Sequence, residues 1–155
     1  MPFKTMFGIQ IDRPAAADPQ NVWLPLFTIA GGIVRVFGLI GVRTVIQAAG
    51  ASTMQFRHSV GTTVLDNGTL AITGDTVGTI YYCTGDLGDV IIRGLGGIYV
   101  PTGKQVATAA VYAGEGWIMS AGTLDVRMTA AAGTGSTRYV VWYLPIDIGA
   151  TIVAT

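Results

Sequence analysis

The chain has 155 residues, of which half are apolar and only 12% are charged, and nine basic residues balance nine acidic ones. This length is typical of one domain that buries a core without metal or disulfide staples. Neutrality without a basic stripe argues against nucleic acid as the main partner. Because so few charges keep copies apart, we expect other subunits to cover much of the surface; the alternative is a monomer with an unusually large core.

The N-terminal stretch MPFKTMFGIQID has no continuous apolar h-region, so we expect no signal peptide. Residues 23–49 are the most apolar part of the chain, but Arg35 and Arg43 lie near their middle and argue against a membrane span. Cys83 is the only cysteine, which excludes an intrachain disulfide and a multi-cysteine metal site. Its apolar surroundings predict a buried packing residue.

The first 22 residues are predicted to form an N-terminal strand and an extended arm, ahead of a single domain at residues 23–155. Residues 4–11 favour a short strand. Residues 12–21, with two prolines and three alanines, favour a linker that is not packed. This linker is either an ordinary surface loop or an arm laid over a neighbouring subunit.

Glycine and proline divide the apolar stretch at residues 23–49 into short pieces, because both are poor inside helices. Pro25, Gly38, Gly41 and the pair Gly31-Gly32 are the breaks. The pieces are rich in Val, Ile, Phe and Thr, which favour strands. We predict three strands here, at residues 23–29, 33–40 and 42–48.

Alternation predicts the core face of two later strands. In residues 53–60 one face carries Met54, Phe56 and His58, and in residues 123–130 one face carries Leu124, Val126, Met128 and Ala130. Residues 137–144 are apolar on both faces, which is typical of a strand at the centre of a sandwich or in a subunit interface.

Turn signals separate the remaining strands. Asn67-Gly68 is a hairpin signal, and turns are also predicted at Gly74-Asp75 and at residues 84–89. Residues 105–112 fit either a helix or a strand. The other predicted strands are residues 62–65, 69–73, 76–83, 90–93, 98–100, 117–120 and 146–155.

This pattern predicts an all-β fold. We expect a β-sandwich or a jelly-roll-like barrel of about ten to thirteen short strands, with an extended N-terminal arm.

Candidates for catalysis and metal binding are weak. A Ser–His–Asp triad needs a histidine base, but His58, the only histidine, has no nucleophile motif near it and is expected to pack. Glu115 is the only glutamate and lies in a Gly-Glu-Gly turn, which does not suit a pair of catalytic carboxylates. Asp86 and Asp89, with Asp75 adjacent if two strands pair, could bind Ca²⁺, but their spacing matches no EF-hand and suits ordinary turns.

Glycine pairs at residues 94–96, 114–116 and 133–135 lack the residues that would make a phosphate-binding loop. We therefore predict no catalytic, cofactor-binding or metal site, no cofactor and no enzymatic activity. Aromatic side chains could form a platform for sugars, but their dispersal favours core or interface packing. They are Trp23, Trp117, Tyr139, Trp142 and Tyr143.

Two stretches carry a family resemblance. LFTIAGGIVRVFGLIG (residues 26–41), leading into VIQAAG, and RYVVWYLPIDIGATIVA (residues 138–154) resemble small Gly- and Thr-rich virion proteins of tailed bacteriophages. In those proteins a strand close to LFTITGG opens the domain and a strand ending Y-x-P-L-D-D-G-A closes it. Ile148 here replaces the second acidic position.

The resemblance implies a structural protein of the phage particle, such as a capsid decoration (cement) or other head-associated protein. It implies a homo-oligomer, with a trimer favoured, that contacts the major capsid protein or another virion protein at the head surface after synthesis in the host cytoplasm. Charge balance and the two arginines of the apolar stretch, and not the resemblance, lead us to expect no nucleic-acid or membrane partner. The alternative is a carbohydrate-binding or tail- or fibre-associated β-sandwich that serves adhesion. Residues 137–144 and the opening apolar stretch are the candidates for the subunit interface.

Overall fold

The computed structural model describes residues 8–47, 50–60, 69–83, 91–94, 117–129 and 135–155, and within them it contains eleven strands and no α-helix. All strand pairs are antiparallel. In chain order the strands are β1 (Ile9–Ala17), β2 (Trp23–Ala30), β3 (Val34–Val45), β4 (Thr53–His58), β5 (Leu70–Ala71), β6 (Ile80–Cys83), β7 (Ile92–Gly94), β8 (Trp117–Met119), β9 (Gly122–Thr129), β10 (Ser136–Pro145) and β11 (Thr151–Ala154).

The described strands form two sheets. Sheet A has the order β1-β10-β3-β6-β7, with β8 also paired to β3, and sheet B has the order β11-β2-β9-β4-β5. One continuous apolar core joins the two sheets, and Phe56 of β4 meets Tyr139 of β10 edge to face, with ring centroids 6.2 Å apart. The prediction of an all-β sandwich is confirmed, whereas the jelly-roll arrangement stays a prediction.

The predicted core faces of β4 and β9 are confirmed. Met54, Phe56 and His58 alternate with partly exposed neighbours along β4. Along β9 the buried set is Leu124, Val126 and Met128, with Ala130 just outside the described residues. Alternation predicted these faces because each strand has one apolar side to bury.

The predicted break at Gly41 is wrong, because β3 is one strand of twelve residues. Gly41 pairs with Tyr139 on one side and Tyr81 on the other, and both tyrosines are buried. A Cβ on Gly41 would come within 3.0 Å of a Tyr139 ring carbon. This glycine therefore serves close packing inside a strand and does not end it.

The predicted unpacked linker at residues 12–21 is also wrong in its first half. Residues 12–17 belong to β1, which pairs with β10 at the edge of sheet A. Pro14 fits there because the pairing register shifts between Arg13 and Ala16, and an edge strand tolerates a residue without an N–H donor. The predicted strand at residues 4–11 is described only from residue 8 onward.

Several other boundaries differ from the predictions. Residues 76–79 form a turn before β6, whereas a strand was predicted from residue 76. The predicted strand at residues 137–144 matches β10, which lies between β1 and β3 and so is central in its sheet. The tail folds as β11 only from Thr151.

Some predictions lie outside the described residues. These are the strands at residues 62–65 and 98–100, the Asn67-Gly68 turn, the turn at residues 84–89, the segment 105–112, and Glu115, Asp86 and Asp89. Among the described residues the structure contains no helix that is long and apolar enough to cross a membrane.

Candidate functional site

His58 occupies the end of β4 and is mostly buried. Its Nε2 lies 3.2 Å from the carbonyl oxygen of Ser120, to which the ring donates. Burial lowers the pKa of His58 below its ordinary value of 6.5, while the Ser120 carbonyl and the charge of Asp125 act in the opposite direction. A neutral imidazole that donates to a main-chain carbonyl acts as a packing residue, as the sequence predicted.

A network of mostly buried polar side chains lies around Arg43, near the end of β3 in sheet A. This guanidinium is 1% exposed. Its Nη1 forms an ion pair with Asp18, and its Nε and Nη2 donate to the Tyr81 hydroxyl at 3.2 and 3.1 Å. Thr137 donates to the second oxygen of Asp18 at 2.8 Å.

The network continues from Tyr81 to a second ion pair. The Tyr81 hydroxyl donates to Asp75 at 2.9 Å, and the other Asp75 oxygen accepts from Arg93 at 2.9 Å. Burial raises the pKa of Tyr81, so the hydroxyl stays protonated at physiological pH. We call Asp18, Arg43, Asp75, Tyr81, Arg93 and Thr137 the buried ionic network.

The buried ionic network joins connections that pass between the two sheets. Asp18 lies between β1 of sheet A and β2 of sheet B, and Asp75 lies between β5 of sheet B and β6 of sheet A. Gln47, between β3 and β4, donates its main-chain N–H to the Asp75 carbonyl at 3.3 Å. Gly135, just before β10, accepts from the Asp18 main chain at 3.0 Å.

A glycine is required at position 135, because a Cβ there would collide with the guanidinium of Arg43 and the carboxylate of Asp18. The two carboxylates and two guanidiniums of the network also balance in charge. Its members bond to one another, and all of them except Arg93 are buried, which suits a role in holding the sheet connections and does not suit chemistry on a substrate.

The outer face of sheet B carries a second polar cluster, centred on Trp23. The guanidiniums of Arg57 and Arg127 lie 4.4 and 4.9 Å from the centroid of its ring. Arg57 also donates to Asp125 at 2.7 Å, and Asp125 accepts from Thr123 at 2.6 Å. Because two arginines already cover the indole, this cluster does not present a bare aromatic platform.

The outer face of sheet A is largely apolar along three neighbouring strands. On β10, Trp142 faces outward opposite Gly38 of β3. A Cβ on Gly38 would lie 3.6 Å from Tyr82 and 3.8 Å from Trp142, so these two rings come close above the glycine. The same face carries one ion pair, since Arg138 is in register with Val42 and binds Asp12. The other apolar residues in register on this face are Ile40, Ile80 and Val140, of which Val140 is buried. Sheet A therefore has a mostly apolar face on the outside as well as on the inside.

This outer face ends in exposed aliphatic side chains, at the end of β3 opposite to Arg43. Leu144 of β10, Arg35 of β3 and Ile118 of β8 are in register across the sheet, and cross-strand neighbours share a face. Ile118 is 73% exposed and Ile148 is fully exposed. We call Ile33, Ile118, Leu144, Ile146 and Ile148 the aliphatic end patch, since all five are exposed.

The sequence candidates for a site are not brought together. Trp23 lies on the outer face of sheet B, Trp142 on the outer face of sheet A, and Trp117 packs against the core. Tyr139 and Tyr143 are buried in the core, as predicted, and so is Cys83. Asp75 lies in the buried ionic network. Within the described part of the chain no group of three or more His, Cys, Asp or Glu side chains could hold a metal ion.

Sequence reasoning missed both the buried ionic network and the aliphatic end patch. One signal was available for the network: Arg43 follows Leu39 and Gly41 at alternate positions of an apolar strand, which places it on the inner face. For the end patch, the sequence distinguishes Ile148 only as the residue that replaces the second acidic position of the virion-protein pattern. Its exposure follows from a turn that the pattern did not resolve.

Comparisons with family models, with curated proteins and with solved structures found no match to this chain. The resemblance to virion proteins therefore rests on the two stretches quoted from the sequence.

Proposed function

We propose that the protein is a non-enzymatic structural component of a tailed-bacteriophage particle, a capsid decoration or other head-associated protein that stabilises the shell through subunit contacts. It would assemble as a homo-oligomer, with a trimer favoured, and contact the major capsid protein or another virion protein at the head surface. The finer parts of this proposal derive from the resemblance at residues 26–41 and 138–154.

One observation about the molecule supports a subunit role: the outer face of sheet A is mostly apolar and ends in the exposed aliphatic end patch. Contiguous exposed apolar surface marks interaction sites in soluble proteins. The chain has no net charge to oppose association. A protein that binds only the assembled shell stabilises it by mass action, and such binding needs surface and no reactive group.

The dispersal of the three tryptophans over two outer faces and the core does not favour the alternative of a sugar-binding module. Sugar recognition by stacking needs aromatic rings that are open to the ligand, and Trp23 is covered by Arg57 and Arg127.

The test uses particles of the phage that encodes the chain. Purified particles are analysed by mass spectrometry, and wild-type particles are compared with particles from a deletion strain for the temperature at which they release DNA. We expect the chain at a fixed copy number per particle and release at a lower temperature after deletion. Purified particles without the chain would refute the proposal.

A further inference from the structure

We infer that the aliphatic end patch is a contact surface between copies of this chain. The inference rests on the proposed function and specifies one surface through which the subunit would assemble. It depends on three features: the rigidity of the turn that carries Ile148, the continuity of the patch with the outer face of sheet A, and the two opposite charges that lie beside the patch.

Ile148 is presented by a tightly held turn. The Ala150 N–H donates to the Asp147 carbonyl at 3.1 Å, and Gly149 between them has φ +87°, as a type II turn requires at that position. The Ile33 carbonyl accepts from the N–H groups of Ile146 and Asp147 at 2.9 and 3.1 Å. The Ile33 N–H in turn donates to the Asp147 carboxylate at 2.8 Å.

The neighbouring glycine turn supports the same conformation. A Cβ on Gly31 would collide with the Gly149 carbonyl, and a Cβ on Gly32 would collide with the Asp147 side chain. The two turns are therefore packed backbone against backbone. Because the turn is already ordered, docking of Ile148 against a partner costs little further conformational entropy.

The patch continues into a larger apolar surface. A stable interface needs about 800 Å² from each partner, which five aliphatic side chains alone do not supply. Leu144 lies two residues from Trp142 on the same face of β10, and Arg35 lies over the ring of Phe37 at 5.1 Å. The outer face of sheet A thus extends the contact from the exposed end patch along β3 and β10.

Charge complementarity favours a second copy over a charged partner. One cation, Arg35, lies beside the patch between Leu144 and Ile118, and one anion, Asp147, precedes Ile148 in the turn. The surroundings of the patch therefore carry no net charge, and two copies can meet there without net repulsion. A strongly acidic or basic partner would leave one of these charges opposed by a like charge.

The test measures self-association of the full chain by native mass spectrometry and sedimentation at several micromolar concentrations. The variants are Ile148→Asp and Ile118→Asp. The matched controls are Val153→Asp and Val77→Asp, which change exposed valines on β11 of sheet B and in the turn before β6. We expect a wild-type oligomer, an at least tenfold weaker association of each patch variant, and unchanged association of both controls. All four positions are exposed, so we expect every variant to fold. Thermal melts verify this.

A wild-type chain that stays monomeric, or patch variants that associate as well as the controls, would overturn the inference. A monomer whose patch variants fail to join particles would also overturn it, since another virion protein would then occupy the patch. The particle assay is independent of this one. If the patch variants dissociate and the wild-type chain is absent from purified particles, only the proposed function is refuted.

Discussion

Replacement of Arg43 by methionine should strongly destabilise the fold. The methionine keeps most of the side-chain length but leaves the Asp18 carboxylate buried with the Thr137 hydroxyl and without its cation. It also removes both donors to the Tyr81 hydroxyl. Removal of one partner from a buried ion pair costs about 3–5 kcal/mol. For a chain of this size each kcal/mol lowers Tm by roughly 2–4 °C, so we expect Tm to fall by about 6–20 °C.

The matched control is an arginine–aspartate pair at the surface. Arg138 of β10 binds Asp12 of β1, and their side chains are 46% and 43% exposed. Exposed pairs contribute little to stability because solvent screens them, so Arg138→Met should leave the urea midpoint nearly unchanged. Urea unfolding followed by circular dichroism measures both variants under the same conditions.

A double variant separates the ion pair from the rest of the network. In Asp18→Asn with Arg43→Met no uncompensated charge remains, so its loss of stability should be clearly smaller than the sum of the two single losses. Equal effects of Arg43→Met and Arg138→Met would refute the argument, because Arg43 would then not depend on a buried partner. Additive single effects would show that Asp18 and Arg43 are not coupled.

Two further changes test local packing and protonation. Because burial lowers the pKa of His58, the unfolded chain binds the proton first as the pH falls; stability should be complete above about pH 6.5 and decline below it. His58→Gln should remove the decline just below about pH 6.5 in urea titrations, and an unchanged dependence of stability on pH would contradict this prediction. Gly41→Ala should cost about 1–3 kcal/mol by crowding Tyr139, whereas Gly38→Ala, whose Cβ meets only ordinary contacts, should be nearly neutral. Similar thermal melts for the two glycine variants would contradict this distinction.

The sequence predicted the strands that bury one face and mispredicted those that depend on distant partners. Thr53–His58 and Gly122–Thr129 alternate because one side of each strand meets the core, so period two is visible locally. Gly41 looked like a strand break because glycine is uncommon inside strands. Glycine fits at position 41 because a Cβ there would lie only 3.0 Å from the Tyr139 ring. Tyr139 is almost a hundred residues away in the chain, so the local sequence does not reveal this contact.

The N-terminal strand was mispredicted for a similar reason. Pro14 and the alanines around it favour a linker by composition, and composition does not reveal that β10 supplies a paired edge for this segment. Asp18 looked like a loop residue, yet it is buried because Arg43 and Thr137 meet it from two other strands. Alternation along β3 places Arg43 on the inner face, but no pattern in the sequence identifies Asp18, 25 residues earlier, as its partner.

The two ends of β3 have opposite physical character, and this separates stability from association. Arg43 lies in the buried ionic network, while Arg35, eight residues earlier, lies beside the aliphatic end patch, a separation of about 26 Å along an extended strand. Sites this far apart without shared partners act additively. Ile148→Asp should therefore weaken association without changing the free energy of unfolding of the monomer, and Arg43→Met should lower that free energy without changing the association of molecules that remain folded. If the network variant dissociated a folded oligomer, the two ends would be coupled through β3, and the aliphatic end patch could not be an independent contact surface.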